Sequence, residues 1–527
     1  MLQTELIRPL GELLERHAAE RGAEPAFRDD SRAEDWAGIE DRTGRLAVQL
    51  RKLVKPGACV AICMGNRLEG VESYLGVTRA GNVGAYLNPG AAGGELAYML
   101  EDCEAEVLIT DARHGQRTWE LAERAPAVQH VSVVDGDDRE ETEGFEDLLA
   151  GAGGTAPDDL ALDDPAWILY TSGTTGKPKG VVLTQRSCLW VVAACWTTAL
   201  GLDAADDMLS ALPLSHSYAL DLSVLAVVAT GASERLLPRF STQRVIDVLR
   251  DEEISVFAGV PTMFHYLVDG LDGQPLGARR LRTSVSAGAI MPGSLNQAFE
   301  ATSGSPLLDG YGITETSTMV TINWPTGTRP AGSCGLPVPG CAVRIIDPQT
   351  GEDVERGHEG ELIVRGPQVM LGYHGKPEAT EEALRDGWYH SGDLARSDSH
   401  GYLTITGRIK ELIIRGGENI YPAEVEQVLA EHAGVKDAGV VGIPDEALGE
   451  IALAFVVAAG EPVDEDELRE FVGSRLAEFK VPGRFRYVEE IPRTGSGKVI
   501  RHKLTELTQG EHGTSTRWFA RGDAGGS

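Results

Sequence analysis

The chain has 527 residues, and its 80 acidic against 48 basic side chains give a formal charge of −32. This length predicts about three folding units, and the acidic balance argues against nucleic acid or an anionic membrane as a partner. Seven cysteines without a Cys-x-x-Cys pair predict reduced thiols, no zinc site and a cytoplasmic location. No apolar stretch is long enough for a membrane span or a signal-peptide core, so we expect no membrane insertion.

Helical and strand patterns alternate through the first part of the chain. Apolar spacing predicts helices over residues 10–20, 44–53, 69–80 and 94–103, and buried strands over 58–63, 83–87 and 107–109. This alternation predicts a parallel sheet covered on both faces. Residues 135–164 are acidic and rich in Gly, Ala and Asp, which indicates a surface excursion.

The stretch Tyr170–Gly180 lies between two apolar runs, 166–169 and 181–183, and is therefore predicted to be a tight loop between strands. It combines hydroxyl, glycine and lysine residues, a composition suited to gripping polyphosphate. Only two residues separate Gly173 from Gly176, so it is not the common P-loop. A flexible linker is the alternative for such a composition, although the apolar flanks argue against it.

Three further regions follow the loop. Residues 187–200 are predicted to be helical, and a second α/β run extends from residue 209 to about 326. Alternating segments between residues 332 and 407 predict a small antiparallel barrel or sheet. Helices at 422–429 and 464–479 with a strand at 451–458 predict a small α+β domain, followed by a mobile polar tail beyond about residue 504.

Seven further motifs carry candidate chemistry, although each has an ordinary structural explanation when it is taken alone. They are Pro213–Leu220 with a central histidine, Ser286–Ala289, Asp309–Thr316, Tyr389–Asp393, Gly407–Ile413, Gly416–Pro422 and Ile491–Lys498.

The loop and these motifs, in this order, resemble the adenylate-forming superfamily of acyl-CoA synthetases, nonribosomal peptide adenylation domains and firefly luciferase. The resemblance covers roughly residues 1–505. With the patterning, it predicts an α/β protein: a large N-terminal domain of two parallel-sheet subdomains plus a small β-barrel, then a small mobile α+β domain. We therefore expect domains at 1–409 and 410–505, with a flexible tail at 506–527.

The resemblance implies a binding site for ATP and Mg²⁺. It assigns the phosphates to the loop, adenine to the small residues and to a stacking tyrosine, the α-phosphate to Thr314, the metal to Glu315, and the ribose to Asp393 and Arg408. The implied nucleotide-binding residues are Thr171, Ser172, Gly173, Thr174, Thr175, Lys179, Gly288, Ala289, Asp309, Gly310, Tyr311, Gly312, Thr314, Asp393, Arg408 and Lys498.

The resemblance also implies an acid-binding pocket. His216 would lie between the α-phosphate and the substrate carboxylate, and its motif is similar to that of 4-coumarate:CoA ligases, where a tyrosine equivalent to Tyr218 contacts an aromatic acid. The other implied pocket residues are Ala287, Gly312 and Ile313, together with Val260 and Leu336. Two departures stand out: Ser215 replaces an aromatic residue, and Asp221 adds a charge nearby.

In the C-terminal part, Lys410 is the implied hinge between the domains and Lys498 the implied catalytic lysine. The loop Gly416, Gly417 and Glu418 would pack along the pantetheine arm of CoA.

The predicted catalytic residues are thus Lys498, His216, Thr314 and Glu315, and the predicted function is an ATP-dependent carboxylic acid:CoA ligase. Its partners would be a small carboxylic acid, ATP and CoA, with a homodimer as one option for the oligomeric state.

Three alternatives stay open at this point. An adenylating enzyme could pass the acyl group to an amine or to a carrier protein instead of CoA. An oxygenase like luciferase is disfavoured, because Ile414 stands where luciferases carry a second lysine. A non-catalytic nucleotide-binding protein is the third, although the lysine and both carboxylates of the motifs are present.

Overall fold

The structure is a computed structural model that describes residues 2–136, 143–151, 154–171, 177–416, 418–445, 447–493 and 497–509. The chain divides into two compact units, one running up to Thr406 and the other beginning at Gly407.

The first unit contains an eight-stranded sheet in which the last six strands of the spatial order below run parallel. Its strands, in spatial order, are Gly372–Tyr373, Lys179–Thr184, Pro165–Thr171, Val83–Tyr86, Cys59–Cys63, Val107–Asp111, His130–Val134 and Glu143–Gly144. The first two strands in this order run antiparallel to their neighbours. The central strand Cys59–Cys63 is buried at all five positions, as expected for a parallel sheet covered on both faces.

A second, nine-stranded sheet also has six parallel strands. In spatial order its strands are Leu336–Pro337, Thr318–Ile322, Leu307–Ile313, Thr283–Ser286, Val256–Gly259, Asp207–Ser210, Ser233–Leu236, Pro25–Arg28 and Ala33–Asp35. One continuous hydrophobic core includes residues of both sheets, such as Ile62 of the first and Met208 of the second.

Helices connect these strands. In the first unit the α-helices are Leu10–Arg21, Trp36–Leu53, Leu68–Arg79, Gly93–Asp102, Ala112–Ala122, Phe145–Ala150, Gln185–Val191, Ser217–Ala219, Ala226–Thr230, Thr242–Asp251, Pro261–Leu271, Gly293–Ser303 and Pro377–Ala383. Two segments have π-helical geometry, Val192–Trp196 and Leu220–Leu225.

A five-stranded sheet occupies the region for which alternating segments predict a barrel or sheet. Ala342–Ile346, Gly360–Arg365, Trp388–Ser397 and Leu384–Arg385 pair antiparallel in that order, and Leu403–Arg408 pairs with the long strand Trp388–Ser397.

The second unit is a small α+β structure, as predicted. Its sheet contains Glu418–Ile420, Ile413–Arg415, Gly449–Ala458, Val435–Asp445 and Arg484–Tyr487. Its α-helices are Pro422–Ala430, Glu465–Gly473 and Arg501–Gln509.

Several predicted boundaries are corrected. The helix predicted over 44–53 begins at Trp36, because the Asp35 side chain accepts a 2.8 Å hydrogen bond from the Gly38 amide and caps it. The helix predicted over 464–479 begins at Glu465 and ends at Gly473, with Ser474 as its C-cap residue. The predicted surface excursion contains the helix Phe145–Ala150, whose Phe145 is buried.

Part of the segment predicted to be a mobile tail is helical. The helix Arg501–Gln509 extends into the segment expected to be mobile, because Leu504 is fully buried against Val441 and Phe455. Residues 510–527 lie outside the described residues. Among the residues that the structure does describe, no helix has the length and apolar character needed to cross a bilayer.

Candidate active site

The candidate site lies at the carboxyl edge of the nine-stranded sheet. Gly259 pairs with Ser286, and Ser286 pairs with Asp309 on the next parallel strand. The residues that follow these positions, Val260 and Ala287, therefore emerge side by side with the motif that begins at Asp309. Ligands of α/β sheets bind at this edge, so the register brings three predicted motifs to a suitable place.

The glycine-rich motif is shaped by the strand that pairs with it. A Cβ atom on Gly312 would lie 1.4 Å from the carbonyl oxygen of Thr318, so only glycine fits there. The antiparallel register shifts between Tyr311 and Gly312, a local bulge of the kind often found beside active sites. The Tyr311 hydroxyl donates a 2.5 Å hydrogen bond to Asp393, which links the predicted adenine and ribose residues.

The next turn carries Thr314 and Glu315. A 3₁₀ turn spans Thr314–Thr316, and the Ser217 hydroxyl donates to the Thr314 hydroxyl at 3.4 Å. Since Ser217 follows His216, the predicted acid-binding motif lies beside the predicted α-phosphate residue. The Tyr373 hydroxyl donates to the Glu315 carboxylate at 2.9 Å.

The donor set at Glu315 fits Mg²⁺. A carboxylate oxygen is a hard ligand, and Mg²⁺ is usually held by one or two carboxylates plus substrate phosphates. The part of the chain that the structure describes holds no cluster of three or more His, Cys, Asp or Glu side chains with metal-site geometry.

His216 lies where a loop becomes a helix, as its motif predicts. It is the N-cap residue of Ser217–Ala219, which continues into the π-helical segment Leu220–Leu225. π-Helical turns are rare and frequent at functional sites. The Tyr218 hydroxyl donates to the Val285 carbonyl at 3.1 Å, which fixes the ring against the edge of the sheet.

The predicted acid-pocket residues share one environment. Tyr218, Val260, Ala287 and Ile313 all belong to the large hydrophobic core of the first unit. Leu336 lies on the outer strand Leu336–Pro337 of the same sheet. The pocket residues are thus mainly apolar, which suits an acid with an apolar body.

The charged residue predicted near this pocket is enclosed by the core. Asp221 is fully buried, and the Trp196 indole N–H donates to it at 2.5 Å. Burial raises the pKa of Asp221 well above its usual range, although the Trp196 hydrogen bond opposes this shift. The Trp196 ring also stacks near Tyr218, with ring centres 6.2 Å apart.

The predicted phosphate loop is a hairpin connection, as its apolar flanks indicate. Pro165–Thr171 and Lys179–Thr184 pair antiparallel, with Thr171 opposite Lys179. Ser172, Gly173, Thr174 and Thr175 lie outside the described residues. The Lys179 ammonium lies 4.7 Å from the centre of the Tyr373 ring.

The motif Ser286–Ala289, predicted to bind adenine, and the predicted ribose residue Arg408 both lie at strand ends. The strand Thr283–Ser286 ends at the first residue of the motif, and Gly288 has a φ of 91°, a conformation that glycine adopts readily. Ala289 follows it. Arg408 is the last residue of the strand Leu403–Arg408.

The predicted residues of the second unit lie on its loops. Lys410 is in the 3₁₀ turn Ile409–Glu411, and Gly416, with a φ of 60°, precedes the strand that begins at Glu418. Gly417 lies outside the described residues.

Lys498 follows a left-handed glycine, Gly497, whose φ is 81°. The next residue, Val499, forms an isolated antiparallel bridge with Arg493. Arg493 in turn pairs with Asp437 at 2.6 Å. The base of the loop that carries Lys498 is therefore fixed to the sheet of the second unit.

Sequence reasoning missed the side chains that support the site. Tyr373 is 58 residues from Glu315, and Trp196 is 25 residues from Asp221. A tyrosine and a tryptophan at such separations give no local signal. Only the fold brings them to their partners.

Comparisons with known proteins agree with the predicted resemblance. The family described as AMP-binding enzyme matches residues 14–374, and its C-terminal domain matches residues 424–498. A feruloyl-CoA synthase of Amycolatopsis sp. is 36% identical over 91% of this chain and 95% of its own. A long-chain-fatty-acid–CoA ligase of Bacillus subtilis is 33% identical over 87% of each chain.

A solved structure leads to the same family. The benzoate CoA ligase from Burkholderia xenovorans LB400 is 28% identical, with a TM-score of 0.86 over 94% of this chain and 99% of that one. The predicted adenylate-forming fold is confirmed. The chain belongs to the AMP-binding enzyme family and is an AMP-forming acyl-CoA synthetase of that family.

Proposed function

We propose that this protein is an ATP-dependent carboxylic acid:CoA ligase that works in two half-reactions. The main support is the pair of contacts at the carboxyl edge of the sheet. Tyr311 with Asp393 links the predicted nucleoside residues, and Ser217 with Thr314 links the predicted acid and α-phosphate residues. The relatives that join acids to CoA support a thioester as the product.

In the first half-reaction, a carboxylate oxygen of the acid attacks the α-phosphorus of ATP. The bond from that phosphorus to the bridging oxygen breaks, pyrophosphate leaves, and an acyl-adenylate forms. The protein supplies positioning and charge stabilisation rather than a covalent nucleophile. Tyr311 would stack on adenine and Asp393 would accept the ribose hydroxyls, while the Thr314 hydroxyl would donate to an α-phosphate oxygen.

A histidine, a lysine and one carboxylate would complete this step. His216 would lie between the acid's carboxylate and the α-phosphate, and Lys498 would bridge the same oxygens as negative charge develops on them. Mg²⁺ held by Glu315 would neutralise charge on the nucleotide phosphates.

In the second half-reaction, the CoA thiolate attacks the carbonyl carbon of the acyl-adenylate. The bond between this carbon and the phosphate oxygen breaks, and AMP leaves. We propose that Lys410, three residues after the start of the second unit, is the hinge of a rotation between the half-reactions. This rotation would withdraw Lys498 from the reacting groups and bring in the loop at Gly416, Gly417 and Glu418. ATP and CoA as substrates also fit the predicted cytoplasmic location.

Nucleotide analysis tests the adenylation step directly. The protein is incubated with ATP, Mg²⁺, CoA and each of a panel of carboxylic acids, and the nucleotides are separated by ion-exchange chromatography. We expect AMP and pyrophosphate in equal amounts, and only with an accepted acid. Formation of ADP and phosphate, or nucleotide turnover that no acid stimulates, would contradict the proposal.

A further inference from the structure

The carboxylate of Asp102 joins three segments that surround the described ends of the phosphate loop. Asp102 is the last residue of the helix Gly93–Asp102. It accepts hydrogen bonds from the hydroxyl of Tyr98 at 2.9 Å, the hydroxyl of Tyr170 at 2.9 Å and the ammonium of Lys376 at 2.6 Å. These donors are 4, 68 and 274 residues away along the chain. One side chain thus ties together a helix, the strand that enters the loop, and a distant turn.

The geometry keeps Asp102 charged. Its side chain is only 10% exposed. Burial opposes ionisation, but the hydrogen bonds from Lys376, Tyr98 and Tyr170 outweigh it and lower the pKa of Asp102. The ion pair with Lys376 also prevents an uncompensated negative charge close to a site for phosphates.

Two of the connected segments provide aromatic rings beneath the lysines of the loop. The Lys177 ammonium lies 5.0 Å from the centre of the Tyr98 ring, and the Lys179 ammonium lies 4.7 Å from that of Tyr373. These are cation–π distances. Tyr98 bonds to Asp102 directly, and Tyr373 is linked to it through Lys376, whose amide donates to the Tyr373 carbonyl at 3.1 Å.

The arrangement restricts two long side chains before any ligand arrives. A free lysine loses much rotamer freedom when it binds a phosphate, and restricting it in advance reduces that cost. The same carboxylate fixes Tyr170, the residue before Thr171, where the strand enters the loop. The Asp102 contacts therefore act on both described ends of the loop.

We propose that Asp102 is a positioning residue for ATP. Its carboxylate fixes the rings of Tyr98 and Tyr373, and these rings orient the Lys177 and Lys179 ammonium groups toward the phosphates. The inference rests on the proposed function, because it takes the loop to bind ATP. Asp102 itself does not contact the nucleotide in this account. Its effect reaches the phosphates only through the two lysines.

The test is calorimetric titration of the full-length protein with Mg-ATP in the absence of acid and CoA. Asp102→Asn keeps the shape and an acceptor oxygen but removes the charge, and we expect its Kd for Mg-ATP to rise about tenfold. The control is Asp163→Asn, which makes the same change in an exposed ion pair with Arg186. It should leave the Kd unchanged.

Coupling to the lysines separates positioning from simple stabilisation. If Asp102 acts through them, adding Asp102→Asn to the double variant Lys177→Met, Lys179→Met should weaken ATP binding by less than about twofold more. An unchanged Kd in Asp102→Asn, or full additivity with the lysine variant, would overturn the inference. A wild-type protein that does not bind Mg-ATP would overturn the proposed function as well.

Discussion

Glu315, the proposed metal ligand, is held by a single contact from a residue distant in the sequence. The Tyr373 hydroxyl bonds to one carboxylate oxygen and so limits the rotation of the side chain. The Tyr373 ring separately lies beneath Lys179. The hydroxyl and the ring of this tyrosine therefore have distinguishable roles.

Replacing Tyr373 by Phe removes the hydroxyl and keeps the ring. A hydrogen bond to a charged group contributes about 1.5–3 kcal/mol, so we expect the Mg²⁺ concentration for half-maximal activity to rise about tenfold or more. Pyrophosphate exchange at varied Mg²⁺ and fixed ATP measures this. Tyr402→Phe is the control, since its hydroxyl bonds to the Thr328 carbonyl on the exposed surface. Equal Mg²⁺ dependence in both variants would show that the contact does not matter for the metal.

Lys498 is the residue on which adenylation should depend most. Substituting it by Ala should lower the rate of acyl-adenylate formation about a hundredfold or more, because the charge of the Lys498 ammonium would stabilise the negative charge that develops on the reacting oxygens. ATP binding, measured by titration, should change little. Lys503→Ala, at an exposed position close by, is the matched control. Adenylation that survives in Lys498→Ala would remove this lysine from the mechanism.

At the scale of single residues, the sequence predicts the residues inside its motifs but few of the side chains that contact them. Gly312 and Asp309 are assigned to the predicted site by their motif and its family resemblance. The Asp102–Lys376 pair spans 274 residues and has no spacing signal. The charge state of Asp221 depends on burial, which no local pattern reveals.

At the scale of elements, the strands Leu307–Ile313 and Thr318–Ile322 define the floor of the site. At Gly312 the two backbones lie so close together that a Cβ atom would overlap the Thr318 carbonyl oxygen. The sequence predicts only an α/β run from residue 209 to about 326 here, and the bulge depends on how the two strands pair. Likewise the helix Phe145–Ala150 escaped prediction because its acidic surroundings resemble a loop.

Gly312→Ala should disrupt this floor. With the added Cβ 1.4 Å from the Thr318 carbonyl, the strands must separate, and we expect a loss of about 3 kcal/mol or more and a Tm lower by about 5 °C or more. Differential scanning calorimetry measures the shift. Gly94→Ala is the control, because its Cβ would meet nothing within 4 Å. A Tm of Gly312→Ala equal to that of the control would mean that the strands lie farther apart than the structure shows.

The strand Ser233–Leu236 carries a buried acid that should make stability depend on pH. Glu234 is fully buried, and neither carboxylate oxygen has a hydrogen-bond partner in the part of the chain that is described. Burial raises the pKa of Glu234 well above its usual range. The folded protein therefore holds this proton where the unfolded chain has lost it, so stability falls as pH rises above about 4.5.

Glu234→Gln removes this titration. Urea unfolding at several pH values between 5 and 8 should show a flatter decline of the unfolding midpoint in the variant than in the wild type. Glu253→Gln, at an exposed position, serves as the control and should keep the wild-type slope. Parallel slopes for all three proteins would mean that Glu234 ionises normally in the folded state.

At the scale of the whole molecule, the fold class is predictable from local patterns of strand and helix. The alternation of strand and helix in the first part, and the shorter α+β pattern at the end, are local properties that survive into the structure. What the sequence could not give is the order of strands within each sheet. In the nine-stranded sheet, Pro25–Arg28 pairs with Ser233–Leu236, some 200 residues later, and such pairings depend on the packing of the whole unit.

The most direct test of the account is mass spectrometry of reactions that contain the protein, Mg-ATP and a panel of aromatic, fatty and polycyclic acids, each with and without CoA. We expect an acyl-CoA thioester from one class of acid, formed only when CoA is present, with the acyl-adenylate detected in its absence. An acyl-adenylate that accumulates equally with and without CoA would contradict the ligase and favour transfer to an amine or a carrier protein.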